Sequence, residues 1–140
     1  MKFIPNGPDP SLEDTRKRIQ RYVDHERRHG FSKWVITDRA SGAAIGDAGF
    51  FVMPDGARVE LGYRLARSHW GSGLAMEVAA KWLEVASAWY GLQRIFAYCH
   101  PDHAASRRVL EKLRFQFLGH EPIHGWTAPV YVFEVQSGSE

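Results

Sequence analysis

The sequence predicts an α+β domain, with a mostly antiparallel twisted sheet, one parallel crossover and flanking helices. Segments 33–38, 44–53 and 59–65 alternate like strands and are separated by short turns, which predicts an antiparallel meander. A glycine-containing loop, a long amphipathic helix and another strand follow, which is the pattern of a right-handed crossover between parallel strands. Two more strand-like segments close the chain.

Length and composition predict one domain over residues 1–140, with an irregular lead-in at 1–10 and a frayed tail at 136–140. The formal charge of +2 is too small to favour nucleic acid as a partner. No basic segment precedes an apolar run, and no stretch has membrane-spanning length, so we expect a cytoplasmic protein without a membrane partner. Cys99 is the only cysteine, which excludes an internal disulfide and favours a buried apolar role.

The first element is a helix that Ser11 and Asp14 cap and that Gly30 ends after about His29. Its apolar stripe consists of Leu12, Ile19, Tyr22 and Val23. A basic set lies mainly outside the stripe: Arg16, Lys17, Arg18, Arg27 and Arg28. This set has two possible roles, a solvated face or a grip on an acidic acceptor.

The meander comes next, and in its second strand Gly46 and Gly49 indicate a bulge or a close contact. A turn at residues 54–56 leads to the third strand, VELGYRL. Its alternation puts four apolar residues on one face, Val59, Leu61, Tyr63 and Leu65, and leaves Glu60, Gly62 and Arg64 on the other.

The following helix has its apolar positions at the spacing of a buried face: Leu74, Val78, Ala79, Trp82, Leu83, Ala86 and Trp89. Gly71 and Gly73 lie in the loop before it. A glycine loop that enters a helix N-terminus brings unpaired amides and the positive end of the helix dipole to one place, which suits a phosphate. Glycine also serves such turns for steric reasons alone, so this spacing leaves both interpretations open.

The second half begins with a strand at residues 94–99, which pairs in parallel with the 59–65 strand or its neighbour. Pro101 and Asp102 end it and cap a helix over 104–113, with core positions Ala105, Val109, Leu110 and Leu113. Strands at 115–119 and 129–135 follow, separated by a polar segment around residues 124–126.

Taken in order, these motifs resemble the GNAT superfamily of acyl-CoA N-acyltransferases, and within it the branch that acetylates ribosomal-protein N-termini. The resemblance covers roughly residues 11–135. It rests on Glu60-Leu61-Gly62-Tyr63, then Trp70-Gly71-Ser72-Gly73-Leu74-Ala75 with Glu77, then His103-Ala104-Ala105-Ser106 and Val109-Leu110-Glu111-Lys112-Leu113-Arg114-Phe115. It implies acetyl-CoA as co-substrate, an amine as acceptor and an acetyltransferase activity.

The resemblance also implies which residues hold CoA. The backbone amides of the loop and helix start contact the pyrophosphate: Trp70, Gly71, Ser72, Gly73, Leu74 and Ala75. The end of the third strand pairs its backbone with the pantetheine arm through Tyr63, Arg64 and Leu65. His103 contacts the pantetheine as well, and Arg107 or Arg108 reaches the 3′-phosphate.

Acetyl transfer to an amine needs a group that takes the amine proton and a donor for the departing thiolate. Glu60 is the candidate base, and a solvated or salt-bridged strand carboxylate is its alternative. Ser106 is the candidate donor, and a bond to local backbone is its alternative. We expect direct attack by a primary amine, of a protein N-terminus or a small molecule, in a ternary complex. A non-catalytic CoA-binding or scaffold domain is the alternative function.

The chain departs from the family pattern in several places. Ser68 stands where relatives have Gln or Arg, His103 replaces Asn, Arg114 replaces Gly, and the family's proton-donating Tyr falls on Leu110. The family's first strand and helix have no counterpart before Met1, which predicts an exposed sheet edge and a homodimer. We expect no metal, since the two histidine pairs, His100 with His103 and His120 with His124, lack the cysteines usual in structural zinc sites.

Overall fold

The computed structural model describes residues 11–66, 69 and 73–135, so the predicted lead-in and tail lie outside the described residues. The elements in chain order are α1 (Leu12–His29), β1 (Lys33–Thr37), β2 (Ala44–Val52), β3 (Val59–Leu65), α2 (Leu74–Ala88), β4 (Arg94–Tyr98), α3 (Ala104–Lys112), β5 (Gln116–Ile123) and β6 (Trp126–Glu134). In the described part of the chain, no helix is both long and apolar enough to cross a membrane.

The strands form one sheet in the order β1-β2-β3-β4-β6-β5. Every neighbouring pair is antiparallel except β3 and β4, which are parallel and joined by α2. The predicted fold class, a mostly antiparallel sheet with one parallel crossover, is confirmed. The crossover matters for function because it brings the ends of β3 and β4 to the same edge of the molecule.

The helices cover opposite faces of this sheet. The His25 ring of α1 stacks on Phe51 of β2 with centroids 3.8 Å apart. On the other face, Trp82 of α2 meets Phe50 edge-on at 5.5 Å. Because Phe50 and Phe51 are consecutive strand residues, they point to opposite faces. We call these the α1 face and the α2/α3 face.

Each face has its own hydrophobic cluster. Under α2 and α3, buried residues from the strands and both helices pack together: Phe50, Leu61, Ala79, Ala86, Ile95, Ala97, Leu110, Phe115 and Tyr131. On the α1 face a smaller cluster lies over β4, β5 and β6: Met53, Phe96, Ile123, Ala128, Val130 and Val132. The smaller cluster does not include α1, which leaves room between α1 and the β5–β6 hairpin.

The α1 helix has the predicted ends. The Ser11 hydroxyl accepts from the Asp14 amide at 3.1 Å, and Gly30 ends the helix with φ 83°. The predicted apolar stripe, however, is not a buried face, since Leu12, Ile19 and Val23 are exposed. The helix instead turns Tyr22 and His25 towards Phe51.

Strand β1 is the edge of the sheet on one side, and no described strand pairs with its outer side. Trp34 and Val35 on this strand are 57% and 64% exposed. The predicted exposed edge is therefore present among the described residues. The homodimer inferred from it stays a prediction.

Strands β5 and β6 are longer than the sequence indicated, because the predicted polar segment is a tight turn. His124 and Gly125 have φ of 52° and 84°, and Ile123 pairs directly with Trp126 across them. Positive φ at both central residues is the two-residue hairpin turn that matches strand twist. Pro122 lies within β5, which is an edge strand, where proline is tolerated.

Three helix assignments need correction. His103, not Asp102, is the N-cap of α3. Ala105 is exposed and Ser106 is buried, because α3 is rotated relative to the predicted apolar stripe. Trp89, expected on the buried face of α2, is exposed. It is the C-cap residue, so it lies beyond the last helical turn and the helical spacing does not determine where its side chain lies.

Candidate functional site

The candidate site is a gap between the two parallel strands. The ladder between β3 and β4 consists of the pair Glu60–Phe96, and no other paired residues join these strands among those described. Beyond that pair, a cavity of about 1150 Å³ is lined by β3 residues 60–65 and by residues 97–100 at the end of β4. A parallel pair that separates towards its carboxyl ends leaves strand backbone open to a ligand.

The cavity reaches both faces of the sheet. Tyr63 lies on the α2/α3 face, where its hydroxyl meets Ser106 of α3. Glu60 lies on the α1 face, close to Lys33. Both faces contribute to one lining, and so two ligands can approach from opposite sides and meet at the gap.

Glu60 is held deep in this gap. The residue is 6% exposed, and its Oε1 lies 3.7 Å from Nζ of Lys33. The Lys33 stem crosses Gly62, where a Cβ would lie 2.8 Å from both Cε and Nζ of Lys33. Oε2 of Glu60 is buried and has no hydrogen-bond partner among the described protein atoms. The alternative interpretation of Glu60, a salt-bridged carboxylate, therefore holds for Oε1, whereas Oε2 is available to accept a proton or a hydrogen bond.

Tyr98 and His124 adjoin Glu60 on the same face, and sequence reasoning did not single out this pair. The Tyr98 hydroxyl lies 2.9 Å from Nε2 of His124. Burial raises the pKa of Tyr98, and the nearby Glu60 carboxylate raises it further. The phenol is therefore neutral at pH 7. The sequence does contain a signal for Tyr98. Alternation along β4 puts Tyr98 on the same face as Phe96, two residues earlier, which is the partner of Glu60.

Ser106 and Tyr63 form the polar group on the opposite face. Their hydroxyl oxygens are 3.3 Å apart, and both residues line the cavity. Burial raises the pKa of Tyr63, which the Ser106 hydrogen bond partly offsets. Cys99 lines the cavity beside them, and burial raises the pKa of its thiol, so the buried apolar role predicted for it fits. The sequence analysis gave Tyr63 a role only through its backbone, and the structure shows that its phenol supplies a second hydroxyl at this site.

The start of α2 borders the same cavity. Gly73 is the N-cap with φ 80° and makes no side-chain capping bond. The first helical residues, Leu74, Ala75 and Met76, line the cavity. Unpaired amides at a helix start favour an anion. The other predicted loop residues, Trp70, Gly71 and Ser72, lie outside the described residues, as does Ser68.

Three residues at the start of α3 and within it were considered as CoA contacts, and the structure does not bring all of them to the cavity. His103 lines the cavity, and burial, followed by the charge of His100, lowers its pKa. Arg108 lines the cavity, and Arg107 is not among its lining residues. Of the two arginines considered for the 3′-phosphate, the structure brings Arg108 to the cavity.

A second charged group extends the cavity along α1. Asp47 is buried and accepts from Nη1 of Arg18 at 2.6 Å and from Nε of Arg64 at 3.0 Å. Nη2 of Arg64 is buried without a hydrogen-bond partner among the described atoms. Within the described residues, no group of three or more His, Cys, Asp or Glu is placed to hold a metal ion.

The fold is shared by many solved acetyltransferases. An acetyltransferase from Bordetella pertussis matches with a TM-score of 0.79 and 22% identity, over 89% of this chain and 78% of that one. The enzyme from Salmonella typhimurium that modifies the N-terminal serine of ribosomal protein L7/L12 matches at 0.75 and 20%, over 90% and 76%. YncA of the same organism, solved with acetyl-CoA, matches at 0.76 and 19%, over 100% and 83%.

Sequence comparisons give the family directly. The protein YkkB of Bacillus subtilis is 30% identical over 127 residues, which is 88% of this chain and 72% of YkkB. The N-acetyltransferase p20 of Bacillus licheniformis is 29% identical over 139 residues, 96% of this chain and 78% of p20. The family model described as an acetyltransferase (GNAT) domain matches residues 1–116. The resemblance to this family and the predicted enzyme class, an acetyltransferase, are thereby confirmed, and the chain belongs to the GNAT family of acetyltransferase domains.

Proposed function

We propose that this protein, as a single domain over residues 1–140, transfers an acetyl group from acetyl-CoA to a primary amine. The observation that carries this proposal is the gap between β3 and β4, with the Glu60 carboxylate on one face and the Ser106–Tyr63 hydroxyl pair on the other. Such a gap lets two substrates meet without a covalent enzyme intermediate. Direct attack in a ternary complex therefore suits this site.

The residues present fit the co-substrate. The backbone of Tyr63, Arg64 and Leu65 pairs with β2 on one side and borders the cavity on the other, so its outer peptide groups are placed to bond an amide-rich arm. Leu74 and Ala75 begin α2 beside that arm, where unpaired amides suit a diphosphate. In this proposal the backbone amides of Trp70, Gly71, Ser72 and Gly73 would also contact the diphosphate, and His103, which lines the cavity, would contact the pantetheine. YncA, which has this fold, was solved with acetyl-CoA.

Acetyl-CoA supplies an acetyl group activated as a thioester. The amine approaches on the α1 face, where Oε2 of Glu60 takes its proton directly or through a water as the nitrogen bonds to the carbonyl carbon. As the carbon–sulfur bond breaks, the Ser106 hydroxyl donates a hydrogen bond or proton to the departing sulfur. Tyr63 keeps that hydroxyl oriented. The proton balance closes through solvent, which takes the amine proton from Glu60 and restores any proton that Ser106 has given to the thiolate.

Arg107 is not among the residues that line the cavity, whereas Arg108 is. We assign the 3′-phosphate contact to Arg108 instead. This choice changes one residue of the predicted CoA site and leaves the backbone contacts unaltered.

The test is to incubate the protein with acetyl-CoA and a panel of peptides and small amines and to measure free thiol and acetylated product. We expect thiol release that depends on the amine. A matched run with Glu60→Gln separates catalysis from background aminolysis. Tight CoA binding with no amine-dependent thiol release from any member of the panel would favour the non-catalytic CoA-binding domain.

A further inference from the structure

The α1 face of the cavity carries two buried polar atoms that have no hydrogen-bond partner among the described residues. They are Oε2 of Glu60, an acceptor, and Nη2 of Arg64, a donor. Buried polar atoms in proteins are nearly always hydrogen-bonded, and an exception in a cavity indicates a ligand that completes the bond. A complementary ligand offers a donor at Glu60 and an acceptor at Arg64.

The two atoms belong to opposite ends of one strand face. Glu60 and Arg64 lie four residues apart on β3, which corresponds to roughly 13 Å of extended backbone. Arg64 is turned sideways onto Asp47, its partner across the β2–β3 ladder, and not towards Glu60. Between them the Lys33 stem crosses Gly62. A ligand that reaches both atoms therefore has its donor and acceptor well separated along a chain.

The charge on this face favours an anion at the Arg64 end. Five cationic side chains and three anionic ones line it: Lys17, Arg18, Arg21, Lys33 and Arg64, against Asp14, Asp47 and Glu60. Asp47 is shared by Arg18 and Arg64, so one carboxylate faces two guanidinium groups. Lys17 and Arg21 lie one helical turn apart at the exposed rim of α1. The excess of positive charge is concentrated near Arg64 and the rim.

We propose that the acceptor is a small amine with an anionic group at the far end of a flexible chain. The amine binds at Glu60, and the carboxylate or phosphate binds at Arg64, Lys17 and Arg21. This proposal rests on the proposed function and adds the substrate class to it. It also gives a role to the basic side of α1, which the sequence left open between a solvated face and a grip on an acidic acceptor.

The test compares the binding of 8-aminooctanoate and octylamine, which differ in one carboxylate, to the full chain saturated with CoA, by calorimetry. We expect the amino acid to bind about tenfold to hundredfold more tightly, the usual worth of a hydrogen bond to a charged group. Glycine, in which the two groups are adjacent, is expected to bind as weakly as octylamine. 7-Aminoheptylphosphonate distinguishes a phosphate-type anion from a carboxylate.

A charge reversal at the rim locates the anion. Lys17→Glu with Arg21→Glu should remove most of the preference for 8-aminooctanoate and leave the Kd for CoA unchanged. Arg16→Glu with Arg28→Glu is the matched control, since it changes the charge of α1 equally at positions outside the cavity lining. Equal affinities for the two amines would overturn the proposal. So would a weakened Kd for CoA in the rim variant, which would assign those cations to the co-substrate.

The same amines, added with acetyl-CoA, separate this proposal from the proposed function. Thiol release from both amines with equal kcat/KM would support the acetyltransferase function and contradict the proposed acceptor class. A binding preference with no thiol release would support the acceptor site and contradict the catalytic assignment.

Discussion

Nζ of Lys33 lies 3.7 Å from Oε1 of Glu60, at the point where β3 and β4 begin to separate. The ammonium also lies 5.6 Å from the centre of the Phe51 ring and 5.9 Å from that of Tyr22. The contact with Lys33 thus fixes the orientation of the Glu60 carboxylate at the start of the gap.

Replacing Glu60 tests the base directly. We expect Glu60→Gln to keep CoA binding and to lower the acetylation rate by roughly 10²–10⁴, the usual worth of a positioned general base. Glu84→Gln is the matched control, because Glu84 is an exposed carboxylate on α2 whose ion pair with Lys81 is at the surface. A near-wild-type rate for Glu60→Gln between pH 6 and 9 would show that the amine loses its proton elsewhere.

Removal of single hydroxyls tests the opposite face. Ser106→Ala should lower kcat less than Glu60→Gln does, because water can replace a hydroxyl donor. Tyr63→Phe keeps the ring and removes only the partner of Ser106, 3.3 Å away, so we expect a smaller loss than for Ser106→Ala. If Tyr63→Phe slows the reaction more than Ser106→Ala, the phenol itself is the donor. Rates with a thioester of lower thiol pKa should be less sensitive to both changes.

CoA should stabilise the fold, because its site belongs to the native state. At a hundredfold excess over Kd the expected gain is about 2.7 kcal/mol, measured as a shift in melting temperature. Gly73→Val should abolish the shift, since a β-branched residue is strained at φ 80° and puts a side chain into the open space beside the start of α2, where CoA would approach. Gly91→Val is the control, with φ 62° outside the cavity lining. Gly71→Val, in the undescribed part of the loop, should act like Gly73→Val. An unmoved melting curve in millimolar CoA would contradict the site.

Acid should destabilise the protein through His25. Its Nδ1 donates to the Phe31 carbonyl at 2.8 Å, and its Nε2 accepts from the Val52 amide at 2.9 Å, so the buried ring is neutral. Burial lowers its pKa below the unfolded value. The unfolded chain therefore binds more protons, and the stability present above about pH 6.5 is lost as the pH falls towards the folded pKa.

The measurement is the urea midpoint at pH 7.5 and at pH 5.5. His25→Gln can keep both hydrogen bonds and cannot titrate, so we expect its midpoint to fall less than that of the wild type. Equal losses would assign the acid sensitivity to other groups, such as His103, whose pKa is also lowered.

Two glycines of the meander should respond differently to alanine. At Gly49 a Cβ would overlap the backbone carbonyl of Ser32, which cannot move without disturbing the turn into β1, so we expect a loss of roughly 1–3 kcal/mol or more. At Gly62 it would overlap the end of the flexible Lys33 side chain and come within ordinary contact distance, 3.6 Å, of Oε1 of Glu60. Gly62→Ala should therefore keep its urea midpoint and CoA affinity but lower kcat several-fold by moving Lys33 from Glu60. Similar urea midpoints for the two variants would contradict this distinction.

Local patterns predicted most of the fold. The cap at Ser11, the stop at Gly30 and the crossover from β3 to β4 all depend on residues near each other in sequence, and the structure has each of them. The length of the β5–β6 hairpin was missed because a turn with His124 at positive φ has a weak sequence signal. Arg114, which replaces a family glycine, adopts φ 70° at the end of α3. The left-handed backbone conformation is thus present although it is less favourable in free energy for arginine than for glycine.

The site was only partly predictable for a related reason. Alternation along β3 put Glu60 and Tyr63 on opposite faces, as the structure confirms. The contact of Glu60 with Lys33 and its proximity to Tyr98 depend instead on which strands become neighbours and on α1 packing over β2. The position of α3 on the sheet likewise decides which of its two arginines lines the cavity, and it is Arg108.

Among the described residues, the pair Glu60–Phe96 is the only backbone pairing between two sets of three strands, β1-β2-β3 and β4-β6-β5. Elsewhere the two sets are held together by side chains, since Leu61 and Ala97 belong to one hydrophobic cluster. The candidate base is therefore part of the backbone contact that unites the sheet, and a change that disturbs this contact would affect the sheet and the site together.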